Sequence, residues 1–326
     1  MSQTFRIGTR ASRMAMAQSE AVRAALQARF PEHRFELVNR PAAADLDTKS
    51  RLGALGGKGG AFIQSMREMM DRGEADMAMH SLKDLPGNDE YYGDDTYAIG
   101  ACLARDDASD ALVMKTGLTF DPASPPAVIG TSSIRRQAFL RRLFPQSEVV
   151  AFRGSADLRL SRLDAGIAME FNYGGTTAVP QALVLASNGL ARIGFADRIS
   201  HVFPDGDMCP AVGQGVVVVE YPTANALLGR MLAEINHRET MWCWQAERAM
   251  LRVLDGHCDA SIGGLARIAG GRLHLRGVVI SPDGGSLIEV TDSSLNAPPS
   301  DLGTRVGRRL NALGARTIIE EGRFAD

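Results

Sequence analysis

Two α/β lobes followed by a smaller α+β unit are what this 326-residue sequence predicts. Three observations carry the prediction. Strand-like and helix-like segments alternate from residue 5 to residue 221, the order that produces sheets with parallel strands. From residue 223 the pattern changes to long helical periodicity, "TANALLGRMLAEINHRETMWCWQAERAMLRVL", and then to a β-rich tail. The length also exceeds one ordinary core, since domains of ~100–150 residues are the usual size.

Taken in order, "FRIGTR" (5–10) reads as a strand and "SRMAMAQSEAVRAALQARFP" (12–31) as an amphipathic helix. Ser12 is placed to cap that helix and Pro31 lies beyond its end. "RFELVNR" (34–40) is a second strand. The glycine-rich "GALGGKGGAF" (53–62) opens the next helix. With no Ser or Thr after Lys58 it lacks P-loop spacing, and it reads as a mobile segment carrying one lysine. "ADMAMHS" (75–81) is a strand that stops at "LKDLP", so Lys83 and Asp84 sit side by side at a strand end.

A second block repeats the logic. "AVIGTSSIRRQAFLRRLFP" (127–145) is strand, tight turn and helix, "SEVVAFRG" (147–154) a strand, and "DLRLSRLDAG" (157–166) a helix with glycine past its end. "QALVLASNGLARIG" (181–194) is strand into turn, and "CPAVGQGVVVVEY" (209–221) a glycine-punctuated loop entering a strongly β-forming strand. The tail contains a hairpin turn at "SPDGG" and a last helix, "SDLGTRVGRRLNALGA". The expected boundaries are 1–103 with 204–221 for the first lobe, 104–203 for the second and 222–326 for the third unit. Strand ends at the facing edges of two such lobes would line one cleft.

Composition narrows the function. A hydrophobic content of 45% and a charged content of 23% belong to a soluble globular protein. No window approaches the ~20 apolar residues of a membrane span, and "MSQTFRIGTR" has no apolar signal core, so the expected compartment is the cytoplasm. Cys102, Cys209, Cys243 and Cys258 form no Cys-x-x-Cys pair, which argues against a disulfide framework or a zinc site. No metal is expected. The net charge of −2 conceals arginine-rich, acid-poor stretches, "GTRASR", "SSIRRQAFLRR", "FRGSADLRLSR" and "NGLARIG". Each alone reads as a solvated helix face. Together, at strand ends and helix starts, they suit carboxylates or phosphates. Aromatics at 6% give no stacking platform for nucleic acid.

Seven motifs then occur in order: "IGTRASRMA" (7–15), "HSLKDLP" (80–86), "GTSSIRRQ" (130–137), "RGSADLRLSRLD" (153–164), "PAVGQG" (210–215), "AERAM" (246–250) and "GHCDASIGG" (256–264). Together they closely resemble the porphobilinogen deaminase (hydroxymethylbilane synthase) family along almost the whole chain. The resemblance implies two lobes like those of periplasmic binding proteins plus a third domain. It implies a transferase that joins four porphobilinogen molecules on a covalent dipyrromethane primer, releasing ammonia at each step. It further implies Asp84 as the catalytic carboxylate and Cys258 as the thioether attachment site of dipyrromethane. Arg10, Arg135, Arg136, Arg153, Arg159 and Arg192 correspond to the family's cleft arginines. Ser12, Ser81, Thr131, Ser132 and Ser133 would add neutral hydrogen bonds, and Lys83 a further cation. Lys58 corresponds to the mobile loop. A monomer acting on porphobilinogen, without nucleic acid or membrane, is expected.

The chemistry asks for these residue types. Porphobilinogen carries an acetate and a propionate, and an unpaired buried carboxylate is very costly, so a cleft for several such rings needs fixed cations. The sequence also departs from the family pattern. Ala54 replaces a usual lysine, an extra residue follows Lys58, "PAAAD" replaces Thr-x-Gly-Asp, Ser155 replaces an asparagine, and "IAMEFNYGGTTAVP" lengthens the stretch before Gly189. Rival expectations are a bilobal anion-binding protein, an inactive paralogue, and a nucleic-acid-binding regulator.

Overall fold

The computed structural model describes residues 2–40, 60–87, 95–152, 154–170, 177–256 and 260–324. Lys58, Arg153 and Cys258 therefore lie outside the described residues. The first stretch runs β1 (Thr4–Arg10), α1 (Arg13–Arg29), β2 (Arg34–Arg40), α2 (Gly60–Asp71), β3 (Met77–Ser81), a single 3-10 turn (Leu82–Asp84) and β4 (Tyr97–Cys102). The chain then crosses to a second sheet through β5 (Asp110–Met114), β6 (Val128–Gly130), α3 (Ile134–Leu143), β7 (Glu148–Val150), α4 (Ala156–Asp164), the ribbon β8 (Met169–Glu170) and β9 (Thr177–Ala178), β10 (Ala182–Ala186), α5 (Ser187–Arg192) and β11 (His201–Val202). It returns through β12 (Val217–Pro222) and α6 (Ala226–Ile235), and closes with α7 (Arg238–Val253), β13 (Ile262–Ala269), β14 (Arg272–Ile280), β15 (Leu287–Ser294), α8 (Pro299–Ala312) and α9 (Ala315–Phe324).

Local chemistry accounts for the main boundaries. Ser12 caps α1, its Oγ accepting the Ala15 amide at 3.3 Å. β1 pairs in parallel with both β2 and β3, and the register sets Ile7 opposite Met77 in the core. Both lobe sheets are mixed, where the sequence pattern suggests parallel ones. The first has the order β2-β1-β3-β12-β4, with β12 antiparallel to its neighbours. The second has the order β11-β5-β10-β6-β7, with β5 antiparallel to β10 and β11. The reason is the double crossing. β5 is the first strand after the chain leaves lobe one and β12 the first after it returns, so each enters its sheet from the far side. The two crossings touch where the Asp106 amide donates to the Gly215 carbonyl at 3.0 Å.

β4 and β5 go beyond the strands expected from sequence. A second shift concerns α6. Leu228, Met231 and Leu232 join Ile7, Val22, Leu26 and Val219 in the first lobe's core, so this helix packs with lobe one rather than with the unit drawn from residue 222. α9 extends the chain beyond the expected last helix. The lengthened stretch before Gly189 contributes the β8–β9 ribbon, which pairs only with itself among the described residues.

The third unit packs α7 and α8 against the antiparallel sheet β13-β14-β15 around Met250, Leu275, Val279, Leu302 and Val306. It also enters the second lobe, where Val278 and Ile280 share a core with Ala138, Phe139 and Cys209. Cys102, Cys209 and Cys243 are free and buried.

Candidate active site between the lobes

The Lys83–Asp84 pair is displayed by its apolar neighbours. Leu82 and Leu85 are both buried, and the Leu82 amide donates to the Val216 carbonyl at 2.9 Å, pinning the 3-10 turn to the residue that leads into β12. With those two side chains turned inward, Lys83 and Asp84 are left at the cleft. Ser81, the last residue of β3, donates to Gln18 Oε1 on α1 at 3.0 Å. The strand end thus answers the arrangement that the sequence raised.

Opposite stands the start of α3. Thr131 and Ser133 use their hydroxyls within the turn itself, and Ser132 ties the turn to the chain beyond β7. Thr131 Oγ1 accepts the Ser133 amide at 3.3 Å, Ser132 donates to the Phe152 carbonyl, and Ser133 Oγ accepts the Arg136 amide at 3.4 Å as the helix cap. The two arginines that follow converge on Asp110, a fully buried carboxylate at the head of β5. Arg135 donates to Asp110 Oδ2 at 2.6 Å and to the Cys209 carbonyl at 2.6 Å. Arg136 reaches Asp110 Oδ1 through Nε at 2.9 Å and Nη2 at 2.7 Å. Burial alone would raise the Asp110 carboxyl, but the two guanidinium charges and a hydrogen bond from Gln214 hold it well below the usual carboxylate range.

Gln214 links the lobes. Its Nε2 donates to Asp110 Oδ1 at 2.8 Å and to the Ala108 carbonyl at 2.6 Å, while its Oε1 accepts from Lys83 Nζ at 3.4 Å. Gly213 and Gly215 on either side adopt φ of 75° and 84°, the left-handed region that lets this loop turn its amide inward. Burial and then the Arg136 charge push the Lys83 ammonium down to about 8, against the pull of Asp84 and Asp110.

Between these walls lies a cavity of about 230 Å³, lined by Ser81, Lys83 and Asp84 from one lobe and Arg136, Arg159 and Asn188 from the other. Asp84 is the one acid among the described residues that line it. Arg159 also donates to the Gly154 carbonyl at 2.7 Å. A smaller cavity of about 30 Å³ opens beside it, with Arg10, Gln18, His80, Ser81 and Asp84 facing apolar side chains such as Ile63, Met66 and Met79. Behind β3, Glu220 is fully buried between His80 (3.3 Å) and Arg67 (2.8 Å). Burial raises the Glu220 carboxyl, yet His80 and Arg67 outweigh it and bring it down to about 2.

Of the residues singled out from sequence, Asp84, Lys83, Ser81, Arg136, Arg159 and Arg10 meet at these two cavities. Ser12, Thr131, Ser132, Ser133, Arg135 and Arg192 do not line them. The first five hold backbone or Asp110, and Arg192 pairs with Asp106, its Nε donating at 2.6 Å. Residues that sequence reasoning passed over are Gln18, Asp110, Gln214, Glu247 and Arg248. Glu247, fully buried, pairs with Arg105 and accepts the amides of Gly213 at 2.8 Å and Ala266 at 2.7 Å, tying the third unit to the crossing. Gln214, Glu247 and Arg248 sit in "PAVGQG" and "AERAM", which are quoted above without roles; for Gln214 a polar residue between two glycines was the available signal.

The family model described as porphobilinogen deaminase, dipyromethane cofactor binding domain, matches residues 5–228, and the one described as porphobilinogen deaminase, C-terminal domain, matches residues 241–312. The chain belongs to the porphobilinogen deaminase family. Curated members include the porphobilinogen deaminase of Chromobacterium violaceum, 36% identical over 96% of both chains, and that of Acidithiobacillus ferrooxidans, 37% identical over the full length of both. A porphobilinogen deaminase from Alkaliphilus metalliredigens is 33% identical over 97% of this chain and 95% of its own. Among solved structures, the methionine binding protein MetQ aligns at TM-score 0.41 with 10% identity, covering 71% of this chain and 89% of its own. Porphobilinogen deaminases are transferases of tetrapyrrole biosynthesis with a dipyrromethane cofactor, and the residues here fit that group. Its four carboxylates need cations, and the cleft supplies Lys83, Arg136 and Arg159. No helix among the described residues is long and apolar enough to cross a membrane.

Proposed function

We propose that this enzyme is a hydroxymethylbilane synthase. It joins four porphobilinogen molecules head to tail, releases ammonia at each addition, and works from a dipyrromethane held by a thioether to Cys258. The observation that carries this reading is Asp84, the one acid among the described lining residues, standing among Lys83, Arg136 and Arg159 in the cleft. A receptor for carboxylates gains nothing from an acid there, because like charges at ~4 Å repel by about 1 kcal/mol even in water and more in a dry cleft. Asp84 makes sense if positive charge develops close by.

When bound, dipyrromethane supplies the pyrrole carbon to which the first substrate is joined. The chain's own residues do the rest. Arg136, Arg159 and Lys83 pair with acetate and propionate groups, and Arg10 does so from the small cavity beside Asp84. Arg153 and Lys58 are assigned the same task on resemblance. Arg135 keeps Asp110 paired and thereby holds Arg136 in place. Ser12, Thr131, Ser132 and Ser133 fix the backbone that presents these cations, and Arg192 with Asp106 braces the crossing. Asp84 accepts a hydrogen bond from the substrate pyrrole N–H and stabilises the positive charge that grows on the ring as the bond to the departing ammonia breaks.

The test is turnover by Asp84→Asn and Asp84→Glu, each first shown by intact mass to carry dipyrromethane. Loss of one preorganised charge-stabilising group costs roughly 10²–10³ in rate, so Asn is expected to lose that much and Glu to keep part of the activity. Asn turning over as fast as Asp would remove the charge role. The attachment is checked separately, since Cys258→Ser is expected to have the bare polypeptide mass.

A further inference from the structure

We propose that Arg248 is a positioning residue that fixes where Asp84 stands by anchoring the chain directly after it to α7, an inference resting on the role assigned to Asp84. Arg248 is 2% exposed on α7. Its Nη1 donates to the Leu85 carbonyl at 2.8 Å and its Nη2 to the Pro86 carbonyl. The planar guanidinium fork spans two successive carbonyls, a task that a lysine ammonium on a flexible stem performs less well.

The same joint continues past Pro86. A Cβ on Gly87 would lie 2.6 Å from Leu251 Cδ2 and 2.9 Å from the Gly256 carbonyl. Directly after Asp84, therefore, Arg248 holds the carbonyls of residues 85 and 86, and Gly87 packs closely against Leu251 and Gly256. Gly256 precedes Cys258 by two residues. Within the turn itself, Asp84 is held by the Leu82 amide on Val216 and by the Leu85 amide on the Leu82 carbonyl at 3.1 Å. Pro86 has no amide proton to add. The third unit thus supplies the anchor on the far side of the carboxylate, and displacing a catalytic group by ~1 Å is enough to cost about 10² in rate.

The decisive measurement is a double-mutant cycle between Arg248→Lys and Asp84→Asn on holoenzymes of verified mass. Arg248→Lys is expected to retain dipyrromethane, to keep KM for porphobilinogen within about twofold, and to lose roughly 10- to 10²-fold in kcat. In the Asp84→Asn background the same change is expected to cost almost nothing, because residues that act as a unit are not additive. Amide exchange of the 82–87 segment is expected to quicken in loaded Arg248→Lys relative to loaded wild type, and unchanged exchange would count against the proposal. Gly87→Ala, which opens the joint without touching the arginine, serves as the second variant if Arg248→Lys does not fold, with the same expected loss and the same cycle. Wild-type kcat in the loaded variant, or equal losses in both backgrounds, overturns the proposal while leaving Asp84 as assigned. Full activity of Asp84→Asn alone would instead overturn the assignment on which it rests.

Discussion

Lys83 shows how much one residue's surroundings decide. Its ammonium is pushed down to about 8 by burial and then by Arg136, from an ordinary lysine value near ~10.4. The folded empty cleft therefore binds fewer protons than the unfolded chain between pH about 8 and about 10, and this group makes folding more favourable as pH rises through that window. For substrate the sign is opposite, since a neutral Lys83 no longer attracts a carboxylate. kcat/KM reports groups on the free loaded enzyme, so it is expected to fall on the alkaline side as Lys83 loses its proton, at a pH above the value of the protein groups alone because the dipyrromethane carboxylates favour the charged form. Lys83→Arg keeps its charge at any such pH and is expected to lose that alkaline limb. A pH–rate profile of the two proteins decides it, and an unchanged limb in the arginine variant would assign it to another group.

At the scale of the element, α3 owes its place to a carboxylate that it does not contain. Asp110, at the head of β5, pairs two buried guanidiniums that otherwise crowd each other. Removing one member of such a buried set typically costs about 3–5 kcal/mol. Asp110→Asn is expected to show that loss in denaturant unfolding and to displace Arg136 from the cleft, so cofactor loading should fall as well; unfolding at the wild-type midpoint would contradict it. The helix and its start were legible from "GTSSIRR", because a strand, a tight turn and serines at a helix start are local patterns. Lys83 and Asp84 were legible too, as a polar interruption where an apolar strand stops. Asp110 was not. It follows Asp106 and Asp107 and heads the short run "ALVM", so it looks like the end of an acidic loop. Its partners are 25, 26 and 104 residues away. Gln214, Glu247 and Arg248 escaped for the same reason. Their meaning lies in contacts between lobes, and no periodicity records such contacts. The antiparallel entry of β5 and β12 was hidden likewise, since alternation along a strand carries no direction.

For the whole molecule, the third unit shares a core with the second lobe and clamps the crossing through Glu247. Arg141 donates to the Pro282 carbonyl at 2.5 Å and Arg142 to the Gly284 carbonyl at 3.1 Å, so the hairpin between β14 and β15 sits on α3. Parts joined this way should melt together. Calorimetry of the holoenzyme is expected to show one transition with calorimetric and van't Hoff enthalpies in agreement, and two resolved transitions would contradict it. A different consequence follows from the bond between Asp106 and Gly215, which brings the outgoing and returning chain within 3.0 Å. The second lobe begins and ends at one doorway. Segments whose ends meet are the ones that tolerate insertion and transplantation. In genetic terms lobe two is a cassette: two recombination points at that doorway would exchange it whole for a relative's, with the path of the remaining chain unbroken. Arg136 and Arg159, the second-lobe arginines proposed to read the substrate's acid groups, could thus be inherited separately from Asp84, the aspartate proposed to act on its ring.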